Sequence, residues 1–211
     1  MATPSQEELY EALVERHGSE NQEKFAHACI GIAGLGGLGS HIAVELTRLG
    51  VGHLILVDFD VVDITNLNRQ HYFIEHLGQP KPEALVEQLK HINPYLSYEP
   101  HHTRLTEDNI CTIFAPCDII IEAFDKPDQK AMITETVLAN FPEKPLVGGS
   151  GLAGIGPAND IVTRHVFKQY YLCGDGASDV GDGLALAAPR VSVCAGHEAT
   201  AAMRLILGLL P

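Results

Sequence analysis

In the first half of the chain, short apolar runs alternate with segments in which the apolar residues have helical spacing. The runs at 28–33 and 53–58 are short and apolar, which predicts buried strands. Between them, GLGGLG at 34–39 leads into SHIAVELTRLG, whose spacing predicts a helix that ends at Gly50. A strand, a glycine turn, a helix and a second strand form a βαβ unit, which predicts a parallel sheet covered by helices.

The same pattern continues downstream. Further strands are predicted at 96–102 (an edge strand), 117–124, 144–151 and 161–167. Helices are predicted at 5–16, 82–92, 106–114, 127–141 and 189–210. We therefore expect an α/β fold with a Rossmann-like parallel sheet, helices on both faces and mixed strands toward the C-terminus.

The expected organisation is one domain over 1–211 with an N-terminal helical segment at 1–27. Residues 174–188 are rich in Gly, Asp and Ala and contain few bulky core residues, which predicts a mobile loop. We find no internal repeat in the chain that would suggest a second unit.

Composition narrows the possible partners. The net charge of -13 disfavours a nucleic-acid partner, because such a surface repels a phosphate backbone. The polar, acidic N-terminus does not resemble a signal peptide, and no apolar run suits a bilayer, so we expect a cytoplasmic protein without a membrane partner. The five cysteines, an odd number, form no CxxC pair, and so predict neither a disulfide framework nor a four-cysteine zinc site.

The glycine turn predicts a nucleotide site. Gly34, Gly36 and Gly39 match G-x-G-x-x-G between a predicted strand and a predicted helix, where backbone N–H groups can hold a phosphate. Asp58 ends the second predicted strand and can accept hydrogen bonds from ribose hydroxyls. The turn alone does not choose between nucleotides, and by itself it favours NAD over ATP.

Three charged side chains favour chemistry at a phosphate. Arg69 and Lys81 are cations in predicted turn and helix-start positions at the carboxyl side of the sheet, where such folds bind ligands. Asp125 follows a predicted strand at the same side and suits Mg²⁺, which prefers oxygen ligands. Asn66 can donate to a phosphate or ribose. Each residue alone has an ordinary structural explanation, such as a surface cation or a helix cap.

Several motifs together resemble the ThiF/MoeB/HesA family, relatives of the ubiquitin-activating enzymes. They are GLGGLG at 34–39, DFDVVDITNLNRQ at 58–70, GQPK at 78–81, EAFDKPDQK at 122–130 and ALAAPRV at 185–191. The resemblance covers nearly the whole chain and is greatest to short ThiF-type members. It implies an adenylyltransferase that uses ATP and Mg²⁺ to activate the C-terminal carboxylate of a ThiS-like sulfur carrier in thiamine thiazole biosynthesis.

The resemblance also implies roles for individual residues. Gly34, Gly36, Gly37 and Gly39 would hold the nucleotide with Asp58 on the ribose. Asn66, Arg69 and Lys81 would meet the phosphates, and Asp125 would serve the metal. The family is typically a homodimer in which an arginine near the N-terminus reaches the partner subunit's ATP, and Arg16 is the candidate here.

The chain departs from the family pattern in two ways, and other functions remain as alternatives. Longer members carry CxxC pairs for zinc, which this chain lacks, so zinc is not expected; some members use a loop thiol, for which Cys173 is the candidate, although a structural cysteine is an equal interpretation. The carrier could instead be of the molybdopterin type, or the chain could be a dehydratase that acts on tRNA, which the acidic charge disfavours. An NAD-dependent oxidoreductase would explain the glycine turn but not the cations, and a non-catalytic scaffold would not need them.

Overall fold

The computed structural model describes residues 3–211, in which seven strands form one sheet. The strands are β1 (Cys29–Ala33), β2 (His53–Asp58), β3 (Ser97–His102), β4 (Ile119–Glu122), β5 (Leu146–Gly149), β6 (Val162–Phe167) and β7 (Tyr170–Gly174). The α-helices of this part of the chain are α1 (Gln6–His17), α2 (Ser19–His27), α3 (Gly37–Leu49), α4 (Lys81–Ile92), α5 (Glu107–Phe114), α6 (Pro127–Asn140) and α7 (Ala188–Ile206).

The sheet is parallel except at one edge. Its strand order is β3-β2-β1-β4-β5-β7-β6, and only β6 runs antiparallel to its neighbour. The predicted edge strand is confirmed as β3. The predicted Rossmann-like sheet with mixed strands toward the C-terminus is also confirmed. The carboxyl ends of β1, β2, β4 and β5 therefore lie along one edge of the sheet.

Helices cover both faces, as expected for a parallel sheet. Alternate positions of β1 separate the two cores: Ile30 and Ile32 pack with α3, α4 and α7, whereas Cys29 and Ala33 pack with α5 and α6. Gly31 is required on the second face, because a Cβ there would come within 2.4–2.8 Å of Phe114 and Cys117 and collide with them. The sheet is thus fixed on both sides by closely packed side chains.

The first two helices lie at the amino-terminal edge of the sheet. Helix α1 begins after Ser5 with a capping box to Glu8, which confirms the predicted helix over 5–16 within one residue. Its Leu13 would contact a Cβ placed on Gly50, the cap that ends α3, and Tyr95 Oη donates to Pro4 O at 2.7 Å. This edge is opposite the glycine turn.

Strand β7 was not predicted, and it completes the sheet beside β5. The turn that joins it to β6 contains Lys168 at φ 49°, a conformation that usually calls for glycine or asparagine. No glycine or asparagine in the sequence therefore marks the hairpin. Among residues 3–211, no helix is both long and apolar enough to cross a bilayer.

Candidate functional site

The glycine turn lies between β1 and α3 at the carboxyl edge. Gly34 has φ 92°, and a Cβ on it would be 2.9 Å from Ala123 O. Gly39 faces the Gly34 carbonyl so closely that a Cβ there would overlap it. Helix α3 begins at Gly37, three residues earlier than predicted, and no side chain caps it. The turn therefore presents the N-terminus of a helix that can receive an anion.

Asp58 is tied directly to this turn. Its Oδ2 accepts the Leu35 backbone N–H at 2.7 Å, and its Oδ1 accepts the Asp60 N–H at 2.9 Å. The side chain is 8 % exposed. Each oxygen keeps a lone pair free, so Asp58 can still accept a hydrogen bond from a ligand hydroxyl.

A short antiparallel pairing brings Lys81 back to Asp58. Val62 N donates to Gln79 O at 2.8 Å, and Lys81 N donates to Asp60 O at 3.0 Å. Lys81 is only 4 % exposed, and its ammonium lies 3.9 Å from Asp58 Oδ2 and 3.1 Å from Asp60 Oδ2. A buried ammonium is thereby held between two carboxylates beside the turn.

Tyr72 connects the glycine turn to Lys81, and no sequence pattern predicted it. Its hydroxyl donates to Leu35 O at 2.9 Å and lies 3.5 Å from Lys81 O. Burial, together with the nearby charge of Asp58, raises the pKa of Tyr72 well above its ordinary value. Tyr72 is therefore a neutral donor that links the glycine turn to the start of α4.

Arg69 lies against the first turn of α3. A Cβ on Gly37 would be 3.7 Å from Arg69 Cγ, and the guanidinium donates to Thr65 O and to Asn68 Oδ1. His41 on α3 holds the backbone here, with its Nε2 3.1 Å from Arg69 O. Arg69 is half-buried and its guanidinium bonds only to neutral oxygens, so it remains available to an anion.

Asn66 belongs to the same turn, where its side-chain oxygen accepts the Asp63 N–H at 3.0 Å. The backbone O of Asn66 accepts the N–H groups of Arg69 and Gln70. The side-chain amide N–H₂ of Asn66 is left for a ligand. Asn66 therefore shapes the loop that carries Arg69.

Asp125 is exposed in the turn between β4 and α6. Its neighbour Phe124 packs on the glycine turn, since a Cβ on Gly34 would be 3.1 Å from the Phe124 ring. The β1–β4 ladder continues to Ala123, whose N–H donates to Ala33 O at 2.8 Å. Asp125 thus reaches the same edge of the sheet as Asp58 and Lys81.

An ion pair behind Asp125, between the buried Glu122 and the partly exposed Lys130, was also not predicted. Lys130 Nζ donates to Glu122 Oε1 at 2.9 Å, to Glu122 Oε2 at 3.1 Å and to Gly149 O at 2.9 Å. Glu198 of α7 is fully buried nearby. The sequence does give a signal: Glu122 ends the apolar run IIIE, and Gly148-Gly149 end the next strand.

The ALAAPRV motif closes the site from α7. Val191 lies against Gly37, since a Cβ on Gly37 would be 3.0 Å from Val191 Cγ1. Asn68 Nδ2 is 3.4 Å from Leu186 O. Arg190 forms an ion pair with Asp175, and its NH1 donates to Gly156 O and Pro157 O at 2.8 Å. This arginine joins the segments on either side of β6 and β7.

Cys173 and Arg16 do not join the cluster within one chain. Cys173 is fully buried in β7 with Thr163 Oγ1 at 3.5 Å, and burial raises its pKa to about 12. A thiol in this state is a poor nucleophile, which favours the structural interpretation. Arg16 is exposed in the last turn of α1, at the opposite edge of the sheet.

The family profile described as the ThiF family matches residues 10–211. The chain belongs to the ThiF family. The matched residues include the glycine turn, Asp58, Lys81 and Arg69. The match reaches from the last two-thirds of α1 to the end of the chain.

Curated relatives are longer than this chain. It is 31 % identical to adenylyltransferase and sulfurtransferase MOCS3 of Culex quinquefasciatus over 199 residues, 90 % of this chain and 44 % of the relative. It is 33 % identical to the sulfur carrier protein adenylyltransferase of Thermus thermophilus over 134 residues, 63 % of this chain and 49 % of the relative. The chain thus spans about half the length of these relatives.

Solved structures share the fold. E. coli tRNA N6-threonylcarbamoyladenosine dehydratase, TcdA, in complex with AMP superposes with a TM-score of 0.86 at 21 % identity, over 99 % of this chain and 98 % of that one. E. coli MccB with AMPCPP and MccA gives 0.71 at 22 % identity, over 97 % of this chain and 64 % of that one. At these identities the similarity supports the fold alone.

Proposed function

We propose that this ThiF-family chain adenylates the C-terminal carboxylate of a ubiquitin-like sulfur carrier protein, with Mg-ATP as the nucleotide. The observation that carries the proposal is Lys81, a buried ammonium held by Asp58 and Asp60 beside the uncapped start of α3. Hydride transfer to or from NAD gives no use for this cation, whereas attack at a phosphate does. The names of the MOCS3 and Thermus relatives support the same chemistry.

The residues at the glycine turn fit a nucleoside triphosphate. The start of α3 would bind phosphate through its N–H groups, and Asp58 would accept the ribose hydroxyls. Gly36 leaves the approach open, because a Cβ there would meet only Gln70, at 3.7 Å. A magnesium ion on Asp125 would neutralise phosphate charge, and Mg²⁺ typically binds one or two carboxylates plus phosphates.

Positive charge supplies the catalysis. The carrier carboxylate attacks the α-phosphorus, its oxygen bonds to phosphorus, and the bond to the pyrophosphate oxygen breaks, which yields carrier-AMP and pyrophosphate. Lys81 and Arg69 would stabilise charge that develops on the phosphate oxygens. No general base is needed, because a terminal carboxyl with a pKa of about 3.5 is already ionised at neutral pH.

The finer assignment is a ThiS-like carrier in thiamine thiazole biosynthesis, in a cytoplasmic homodimer. The carrier's extended tail would enter beside 174–188, next to Val191 and the glycine turn. Arg16 lies at the far edge of its own subunit, so it would serve the site of a second copy. A tRNA substrate, suggested by the name of TcdA, is disfavoured by the net charge of -13.

The test is ATP–pyrophosphate exchange with a ThiS-like carrier, a molybdopterin-type carrier or tRNA as the acceptor. We expect exchange with the ThiS-like carrier, and a loss of roughly a hundredfold or more for Arg69→Ala, Lys81→Ala and Asp125→Ala. Lys90→Ala is the matched control, because Lys90 is exposed in the last turn of the same helix as Lys81.

Three results would count against the proposal. Exchange only with the molybdopterin-type carrier or tRNA would overturn the ThiS-like assignment. Tight binding of NAD without binding of ATP would overturn adenylation itself. Unchanged rates in all three alanine variants, with Lys90→Ala equally active, would overturn the assigned roles.

A further inference from the structure

The turn that carries Asp125 is short and exposed, yet it has to hold a carboxylate at a defined place if the proposed function is right. Asp125 makes no hydrogen bond to another described residue through its carboxylate. Whatever fixes its position must act through the neighbouring backbone. The buried groups behind the turn are therefore the place to look.

Glu122 holds that backbone from below. Its side chain is 1 % exposed, and its Oε1 accepts the Phe124 N–H at 2.7 Å. Phe124 directly precedes Asp125 and packs on Gly34 of the glycine turn. One carboxylate oxygen thus sets the start of the turn relative to the nucleotide side of the sheet.

Lys130 holds Glu122 in turn. Its ammonium has three N–H donors, and all three have acceptors: the two oxygens of Glu122 and the Gly149 carbonyl of β5. Lys130 lies one turn into α6, which begins at Pro127. The ion pair therefore clamps both ends of the 123–127 turn to β4 and β5.

The backbone of β5 packs closely around the Glu122–Lys130 pair. A Cβ on Gly148 would be 2.9 Å from Glu122 Oε2, and one on Gly149 would be 2.7 Å from Glu198 Oε1. Burial, together with the charge of Glu122, raises the pKa of Glu198 well above its ordinary value. Burial also raises the pKa of Glu122, whereas the Lys130 ammonium opposes that rise, and the two contacts of Lys130 identify Glu122 as its partner.

We propose that Glu122 and Lys130 are positioning residues that hold the 123–127 turn so that Asp125 can serve Mg-ATP. This inference rests on the proposed function for the role of Asp125. The pair does not touch the nucleotide itself. Removing Glu122 frees the Phe124 N–H, and removing Lys130 leaves the buried Glu122 carboxylate without its cation, so in either case the turn relaxes and Asp125 moves.

The experiment measures ATP affinity by calorimetry with and without Mg²⁺, beside amide hydrogen exchange of 123–129. We expect Lys130→Met and Glu122→Gln each to lower affinity in Mg²⁺ about tenfold and affinity without Mg²⁺ less than about threefold, with faster exchange in the turn. Lys130→Arg keeps the cation and restores most of the Mg²⁺ effect.

Lys144→Met is the matched control for a purely structural loss. Lys144 also donates to three oxygens, the carbonyls of Phe114, Ala115 and Cys117, but these lie away from the Asp125 turn. It is expected to lower the melting temperature while it leaves the Mg²⁺ gain in ATP affinity intact.

The results separate two failures. The inference is overturned if Lys130→Met keeps the Mg²⁺ gain, if Lys144→Met loses it equally, or if the wild type shows no Mg²⁺ gain. If the wild type shows the gain, and Glu122 and Lys130 variants lose it, while no acceptor supports pyrophosphate exchange, the inference stands and the proposed function fails.

Discussion

Two regions of the molecule use similar charged pairs for different purposes. At the glycine turn, Lys81 pairs with Asp60, whose side chain is 51 % exposed, so a ligand can compete for the cation. At the start of α7, Arg190 pairs with Asp175 and also donates to two carbonyls, so NH1 and NH2 have partners within the chain, while its buried Nε has none among the described residues. We therefore expect a buried cation to bind a ligand only where its partner can be displaced.

The first prediction concerns the Arg190–Asp175 pair and has the largest expected effect. Arg190→Met leaves Asp175 without its ion-pair partner and should lower the free energy of unfolding by about 3 kcal/mol. ATP affinity should change less than about threefold, because Arg190 serves the fold and not the nucleotide. Urea denaturation and calorimetry measure the two quantities.

Arg204→Met is the control from the same helix, α7, where Arg204 is exposed and its side chain makes one hydrogen bond, to Leu210 O. It should change stability by no more than about 0.5 kcal/mol. A large loss of ATP affinity in Arg190→Met at full folding would contradict the division between the two regions.

The second prediction uses pH. Burial by itself would raise the pKa of Asp175, but hydrogen bonds from Ser178, Ala177 and Arg190 outweigh it and lower the pKa to about 2. A carboxylate with a lowered pKa stabilises the fold above its ordinary pKa and loses that stabilisation as the pH falls.

Relative to Asp175→Asn, the wild type should therefore be more stable by about 2 kcal/mol at pH 7, and the difference should vanish between about pH 4 and pH 2. Urea denaturation of both proteins across this range measures it. A difference that stays constant down to pH 2 would show that the charge of Asp175 is not the cause.

The third prediction concerns the displaceable pair and is the smallest in energy. Asp60→Asn removes a half-exposed competitor for Lys81, so stability should change by less than about 1 kcal/mol. ATP affinity should rise about fivefold, as expected for roughly 1 kcal/mol of removed charge repulsion. A fall in affinity would show that Asp60 orients Lys81 instead of competing with the ligand.

Most of the sheet could be predicted because its strands are apolar runs between glycine or proline signals. Strand β7 could not, because its hairpin turns at Lys168 without a glycine. Helix α2 also gave little pattern, since only Gln22 and Phe25 of its nine residues are buried. Local sequence reveals an element only when its boundaries or its periodicity are marked.

The site was predictable only in part for a related reason. Asp58 and Lys81 lie at the ends of predicted elements, and a parallel sheet gathers such ends at one edge. Tyr72 and Lys130 act through contacts between segments that are far apart in sequence, which no local pattern contains. Arg16 and Asp125 keep their roles as predictions.

The pairing of 60–62 with 78–81 separates distance in sequence from distance in space. Gly78 N donates to Val62 O at 2.9 Å, and Val61 forms an antiparallel β-bridge with Pro80. The residues between them therefore form a loop whose two ends are held together by backbone pairing. We therefore expect residues inserted at the exposed Ile74 or Glu75 to leave this pairing formed. The backbone bonds at 60–62 and 78–81, and not the length of the segment between them, thus set the distance between Asp58 and Lys81.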